Sequence, residues 1–208
     1  MTLAWLLTNI VTALQAYLLG GINGSIITSK YIYRRDIREQ GSGNPGLTNF
    51  LRVFGKKGVL LVIAIDVIKT VAPVLIGGAI FARCGLNAMT GRIFAGFCAM
   101  LGNAFPLYYG FKGGKAVMAI GVMLFAIDWR VTLLGWGVFA IVLACSRYVS
   151  LGAITGVWGF PIALAVFGVG TTRDLITAVL CATLLVIRHR ENIKRLRRGE
   201  ESKLSLRK

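Results

Sequence analysis

Between two long apolar runs lies Gly41-Ser-Gly-Asn-Pro-Gly-Leu-Thr-Asn49, a polar segment rich in glycine. Gly41, Gly43 and Gly46 have no Cβ, so the backbone N–H groups around them can approach an anion closely. Ser42, Asn44, Thr48 and Asn49 add side-chain donors, and positive charge flanks the segment: Lys30, Arg34, Arg35 and Arg38 before it, Arg52, Lys56 and Lys57 after it. That density of donors and cations suits phosphate oxygens. A second segment of the same kind is Phe111-Lys-Gly-Gly-Lys115, where Lys112 and Lys115 bracket Gly113 and Gly114 just ahead of another apolar run. A helix starting there would offer unpaired N–H groups and a positive dipole end beside Lys115. Two cationic glycine loops at the edges of apolar helices point to a membrane enzyme that handles phosphorylated substrates.

Other constellations narrow the chemistry. Gly41, Gly43 and Gly46 satisfy G-x-G-x-x-G, but no strand precedes them, Pro45 interrupts them, and the acidic residue downstream, Asp66, falls inside an apolar run. A dinucleotide fingerprint is excluded, as is a Walker loop, because no Gly-Lys-Ser/Thr ends the segment. Asp66 and Lys69 are three apart and share a helix face, which reads as a structural ion pair at membrane depth. His189, Asn192, Ile193 and Leu196 recur at helical spacing and should dock on the rest of the protein, whereas Arg190, Lys194, Arg197 and Glu201 occupy another stripe. His189 shares its face with an amide, so a role in substrate binding is expected. Lys194 stands where a His-x-x-x-x-Asp acyltransferase needs its carboxylate, and no G-x-S-x-G elbow is present. Catalysis would then rest on positioning and charge stabilisation. The single histidine and the scattered Cys84, Cys98, Cys145 and Cys181 predict neither a zinc site nor a disulfide framework.

The elements that must position these residues are set by composition. Apolar residues make up 56% of the 208 positions, 15% are charged, and mean hydropathy is +0.71. A helix crosses the hydrocarbon core with about 20 apolar residues. Candidate spans are 3–29, 58–82, 91–110, 113–129, 131–146, 151–169 and 172–188. The expected fold is therefore all-α, a polytopic transmembrane helical bundle of about seven spans forming one domain over 1–208. The net charge of +16 resolves into a topology rather than a nucleic-acid signal. With seven spans, 19 of the 24 Lys and Arg residues fall on one side, 4 on the other, and Lys69 lies within a span. The positive-inside rule puts the N-terminus outside and the C-terminus in the cytoplasm. Cytoplasmic loops are expected at about 30–57, 111–115 and 146–150, with a basic amphipathic tail over 189–208. Gly20 with Gly24, and Gly152 with Gly156, read as small-residue pairs for helix packing. A transporter is disfavoured, because no internal repeat is evident and the ionisable residues gather at the cytoplasmic end.

Gly41–Asn49 with Arg52, Asp66 with Lys69, Leu101-Gly-Asn-Ala-Phe-Pro106, Phe111–Lys115, Arg147-Tyr-Val-Ser150 and His189–Arg195 with Gly199 and Glu201 together resemble the PlsY family. These are bacterial acyl-phosphate:glycerol-3-phosphate acyltransferases, and the similarity runs in order from about Asp36 to Lys203. The resemblance implies a multi-pass enzyme of the bacterial cytoplasmic (inner) membrane that moves a fatty acyl group from acyl phosphate to the 1-hydroxyl of sn-glycerol 3-phosphate. Lysophosphatidic acid and phosphate would be the products, in phospholipid biosynthesis. It further implies a functional link to the enzyme that makes acyl phosphate, a monomer in the lipid bilayer, no nucleic-acid partner, no metal and no cofactor. Ser42, Arg52, Lys115, His189 and Asn192 match positions expected to act in catalysis. Gly41, Gly43, Asn44, Gly46, Thr48, Asn49, Lys112, Gly113, Gly114, Ser150 and Glu201 match the substrate-binding segments, with Gly113 and Gly114 expected to lend backbone amides to acyl phosphate. The chain departs from the family at Asn103, where histidine is usual, at Ala116, which replaces a glycine, and at Thr70 and Glu200. The alternative reading is a catalytically silent or diverged paralogue that binds phospholipid precursors.

Overall fold

A computed structural model describes residues 2–204. Among them the chain is all-α, without a strand. Helix α1 (Leu3–Gly20) starts where the Thr2 hydroxyl accepts the Trp5 N–H. It ends at Gly20, and Asn23 caps a separate helix α2 (Gly24–Ile32) by accepting the Ile26 N–H. The first expected span is thus two helices. The break serves the site, because the Asn23 side-chain amide also donates to the Pro45 carbonyl of the first glycine loop at 3.0 Å. It also separates Gly20 from Gly24, which do not form one packing face: Gly20 lies against the Ala99 backbone, and Gly24 faces the Val62 carbonyl.

Helix α3 (Leu47–Phe54) is short and is followed by α4 (Val59–Arg83), whose 25 residues extend about 37 Å, enough to cross a bilayer core. Asn87 caps α5 (Ala88–Ala104), and Asp128 caps α7 (Trp129–Ser146). Between them, α6 (Val117–Phe125) has only nine residues. The stretch 113–129 is therefore not a full-length helix. Apolar composition cannot tell a span from a half-length core helix, and here Gly113, Gly114 and Ala116 are buried, irregular backbone ahead of it. Such backbone is tolerated at membrane depth where protein surrounds it or a cavity adjoins it.

Helices α8 (Val149–Gly156) and α9 (Gly159–Phe167) run nearly end to end, and a Thr171–Asp174 capping box starts α10 (Thr172–Arg188). Helix α11 (Arg190–Arg197) follows at once. Four helical stretches are long and apolar enough to cross a membrane: Leu3–Ile32, Val59–Arg83, Trp129–Ser146 and Val149–Phe167. Large apolar side chains such as Leu60, Phe125, Ile141 and Val166 point outward, which marks a surface made for lipid. The core forms around α6, where Met123 packs over Gly96 and belongs to one buried cluster with Ile93, Val131, Phe160 and Leu185.

The loops gather at two ends. At one, Thr90 donates to Asp174, Arg92 to the Ala126 carbonyl, Arg130 lies over Phe167 and Arg173 over Trp5. At the other lie both glycine loops, Ser150 and the chain after His189, all bordering one cavity. Arg207 and Lys208, counted among the tail cations, fall outside the described residues.

Candidate active site

Gly41 and Gly43 take left-handed conformations, with φ of 58° and 70°. At Gly41 any side chain would also run into the Asn49 amide oxygen. Asn49 explains this tight turn: its Oδ1 accepts the Ser42 N–H at 3.0 Å, and its Nδ2 donates to the Gln40 carbonyl at 3.0 Å. Asn49 is buried and committed to the loop it closes, so it positions Ser42 instead of offering a free amide. Gly46 caps α3 without a side chain. The first N–H groups of α3 therefore have no helical partner, and the positive end of its dipole lies beside Ser42. About a turn and a half on, Arg52 lines the same cavity and makes no hydrogen bond or ion pair among the described residues.

The second loop rests on a buried ion pair. Lys69 Nζ lies 2.9 Å from Asp66 and donates to the Asn103 side-chain oxygen at 2.7 Å. The backbone carbonyl of Asn103 accepts the Gly114 N–H at 3.0 Å. Arg188 holds the loop from the other side, donating to the Gly114 carbonyl at 3.1 Å and the Gly113 carbonyl at 2.9 Å. The Gly114 amide is thus engaged, contrary to the expectation that it is free for a ligand. Gly43, Lys112 and Gly113 do not line the cavity: Gly43 belongs to the turn, Lys112 is exposed, and Gly113 is packed against the Asn103 carbonyl. Ala116 adopts φ 60° and begins α6, leaving further unpaired N–H groups next to Lys115.

The chain beyond α10 completes the site. Lys115 Nζ donates to the Asn192 side-chain oxygen at 2.5 Å, and the Asn192 amide donates to Glu201 at 2.6 Å. Glu201 also accepts from Ser150 Oγ at 2.7 Å and Arg195 Nε at 2.7 Å. Glu201 is not on a stripe of α11 with Arg190, Lys194 and Arg197, as spacing predicts, but lies beyond the end of that helix. Gly199, at φ 70°, stops the helix, with Glu200 N–H bonded to the Arg195 carbonyl and Gly199 N–H to the Leu196 carbonyl. This Schellman cap turns the chain back towards the cavity.

Charge states follow from the surroundings. Burial, reinforced by Arg195 and nearby Arg188 and Arg52 against the pull of Glu201, brings the Lys115 ammonium down to about 8. Burial brings His189 down to about 4. Its Nδ1 lies 2.8 Å from the Leu185 carbonyl, which can only accept, so Nδ1 carries the proton and Nε2 is left as an acceptor. Burial pushes the Glu201 carboxyl up, but the hydrogen bonds from Ser150, Asn192 and Arg195 together hold it below the usual range.

The cavity measures about 1180 Å³. Ser42, Asn44, Thr48, Arg52 and Lys115 line its polar end with Ser150, His189, Asn192 and Glu201; Gly41, Gly46, Asn49 and Gly114 also border it. A second, apolar limb runs between α6, α7 and α8, lined by Met118, Ile120, Leu124, Trp136, Phe139 and Val157. One cavity therefore joins a cationic mouth to a greasy pocket, the shape of a site for an anionic amphiphile.

A family profile described as glycerol-3-phosphate acyltransferase matches residues 10–199. The chain belongs to that family. A glycerol-3-phosphate acyltransferase of Thermoanaerobacter pseudethanolicus is 39% identical over 94% of this chain and 95% of its own. One from Clostridioides difficile is 39% identical over 96% and 97%. Among solved structures, the glycerol 3-phosphate form of PlsY, an integral membrane glycerol 3-phosphate acyltransferase, superposes with a TM-score of 0.85 at 34% identity over 95% of this chain and 96% of that one. The lysophosphatidic acid form gives 0.82 at 33% identity over 95% of each. As a member of this acyltransferase family, the chain is a multi-pass membrane protein.

Sequence reading gave no role to Arg195, Arg188 or Asn23. Arg195 was within reach, since it lies three residues after Asn192 on the same helix face. Arg188 reaches Gly113 and Gly114 from more than seventy residues away, and nothing local ties Asn23 to Pro45.

Proposed function

We propose that this protein transfers a fatty acyl group from acyl phosphate to the 1-hydroxyl of sn-glycerol 3-phosphate, giving lysophosphatidic acid and inorganic phosphate. The observation that carries this reading is the single cavity in which the cations Arg52, Lys115 and Arg195 adjoin an apolar limb. Both substrates bring phosphate, and one also brings an alkyl chain.

In the proposed reaction the glycerol oxygen attacks the acyl carbon, the bond from that carbon to the phosphate oxygen breaks, and phosphate leaves with the hydroxyl proton. A mixed anhydride is already activated, so no strong base is needed. His189, neutral with a bare Nε2, accepts a hydrogen bond from the glycerol hydroxyl and orients it. Ser42 and the start of α3 hold one phosphate, where backbone N–H groups and the helix dipole favour an anion. Lys115 and Arg195 neutralise charge that grows on the leaving phosphate; such preorganised charge is the main lever available where no side chain serves as a nucleophile. Glu201 keeps Asn192 and Arg195 in register. We further propose seven spans, an outer N-terminus and a cytoplasmic active site in a bacterial inner membrane.

The test uses purified protein in lipid nanodiscs with palmitoyl phosphate and glycerol 3-phosphate. Equimolar release of phosphate and lysophosphatidic acid is expected. Binding of both substrates without turnover would establish the silent-paralogue reading instead.

A further inference from the structure

One ring of α7 packs onto the middle of α6. Gly121 has no side chain, and the Trp136 indole lies across it, with Cζ2 only 2.9 Å from where a Cβ would stand. The indole N–H donates to the Gly121 carbonyl at 3.0 Å. The same ring meets Phe139 edge-on at 5.5 Å and Phe125 at 6.3 Å. Trp136 is thus fixed on several sides, and it both lines the apolar limb and stands 38% exposed on the lipid face. It separates the limb from the bilayer. Val117, at the polar end of α6, and Leu124, at the far end of the limb, are seven residues apart on that helix, about 10 Å of depth. Trp136 closes the α6–α7 side of that depth at Gly121. Across the limb, α8 presents Ala153, a residue too small to obstruct it.

We infer that Trp136, clasped to Gly121, sets the length of acyl chain this protein accepts. The inference rests on the acyl transfer proposed above and names the residue that decides its donor specificity. A chain in the limb cannot leave through the α6–α7 side into the bilayer and must end or bend within that depth, because the indole is held by a hydrogen bond and by two aromatic neighbours. In an apolar pocket one methylene changes kcat/KM by about tenfold or more, so a fixed wall suffices to rank donors.

The experiment measures kcat/KM for decanoyl, myristoyl, palmitoyl and stearoyl phosphate with the intact protein and two variants. Trp136→Ala opens the wall and is expected to raise stearoyl relative to myristoyl turnover by about tenfold. Ala153→Leu fills the opposite wall and is expected to move the preference towards decanoyl. Both should leave KM for glycerol 3-phosphate unchanged, since neither touches the polar mouth. If Trp136→Ala does not fold, Trp136→Phe, which is smaller and lacks the indole N–H, takes its place and is expected to shift the ranking in the same direction by less. An unchanged ranking in the folded variants, with an active parent protein, overturns the inference. A parent that turns over none of the four donors overturns the proposed reaction itself, and the inference falls with it.

Discussion

Lys115 joins the second glycine loop to Asn192 and shares the mouth of the cavity with Arg52, Arg195 and Glu201. Replacing it with alanine removes one preorganised charge, and kcat should fall about 10²–10³-fold while the protein stays folded in a thermal melt. The depressed value of about 8 for its ammonium gives a second prediction. A bound phosphate favours the charged form, so binding near that pH takes up a proton and KM for glycerol 3-phosphate rises as pH climbs past about 8. A KM flat across that range would remove Lys115 from the phosphate site. The sign for stability is the reverse, since the buried charge is relieved as pH rises from about 8 towards the ordinary lysine value. His189, already neutral above about 4, adds no step near neutrality. Any acid limb near pH 6 comes from the substrate's own second phosphate ionisation, and His189→Gln should leave that limb in place while lowering kcat.

At the scale of elements, the second loop is a short irregular bridge between α5 and α6, held by Asn103, Arg188 and the ion pair beneath. Ala116 is its strained point, a residue with a Cβ at φ 60°. Ala116→Gly should stabilise the protein by about 1 kcal/mol, read as a higher melting temperature in detergent. Asn103→Leu leaves the Lys69 ammonium with Asp66 alone; a loss of about 2 kcal/mol is expected, with Lys115 misplaced and KM raised. What the sequence revealed here depended on locality. Glycine and cation spacing marked both loops, and Asp66 with Lys69 was legible from three-residue spacing. Glu201 was misplaced because the left-handed stop at Gly199 reverses the chain, which helical periodicity cannot register. The engaged Gly114 amide was equally hidden, because its partner, Asn103, belongs to another element.

For the whole molecule, the one-sided distribution of lysine and arginine announced a membrane bundle whose charged loops share an end, and the apolar runs located most helices. The half-length α6 and the greasy limb beside it were not legible, since a cavity wall and a lipid-facing wall are built from the same residue types. The proposed orientation has a direct check: Cys84, exposed between α4 and α5, should react with a membrane-impermeant thiol reagent in intact cells, whereas a cysteine installed at Lys57 should react only after the cells are opened. Labelling of Lys57→Cys from outside, with Cys84 reacting only in opened cells, would reverse the topology. The Trp136 side of the cavity borders hydrocarbon while the Lys115 mouth collects the charged loops, so the two products of the proposed reaction differ in where they dissolve. In that reaction phosphate leaves through the mouth into water, whereas the lysolipid must pass the Trp136 wall to reach the leaflet, so the wall delays release of the lipid and not of the phosphate.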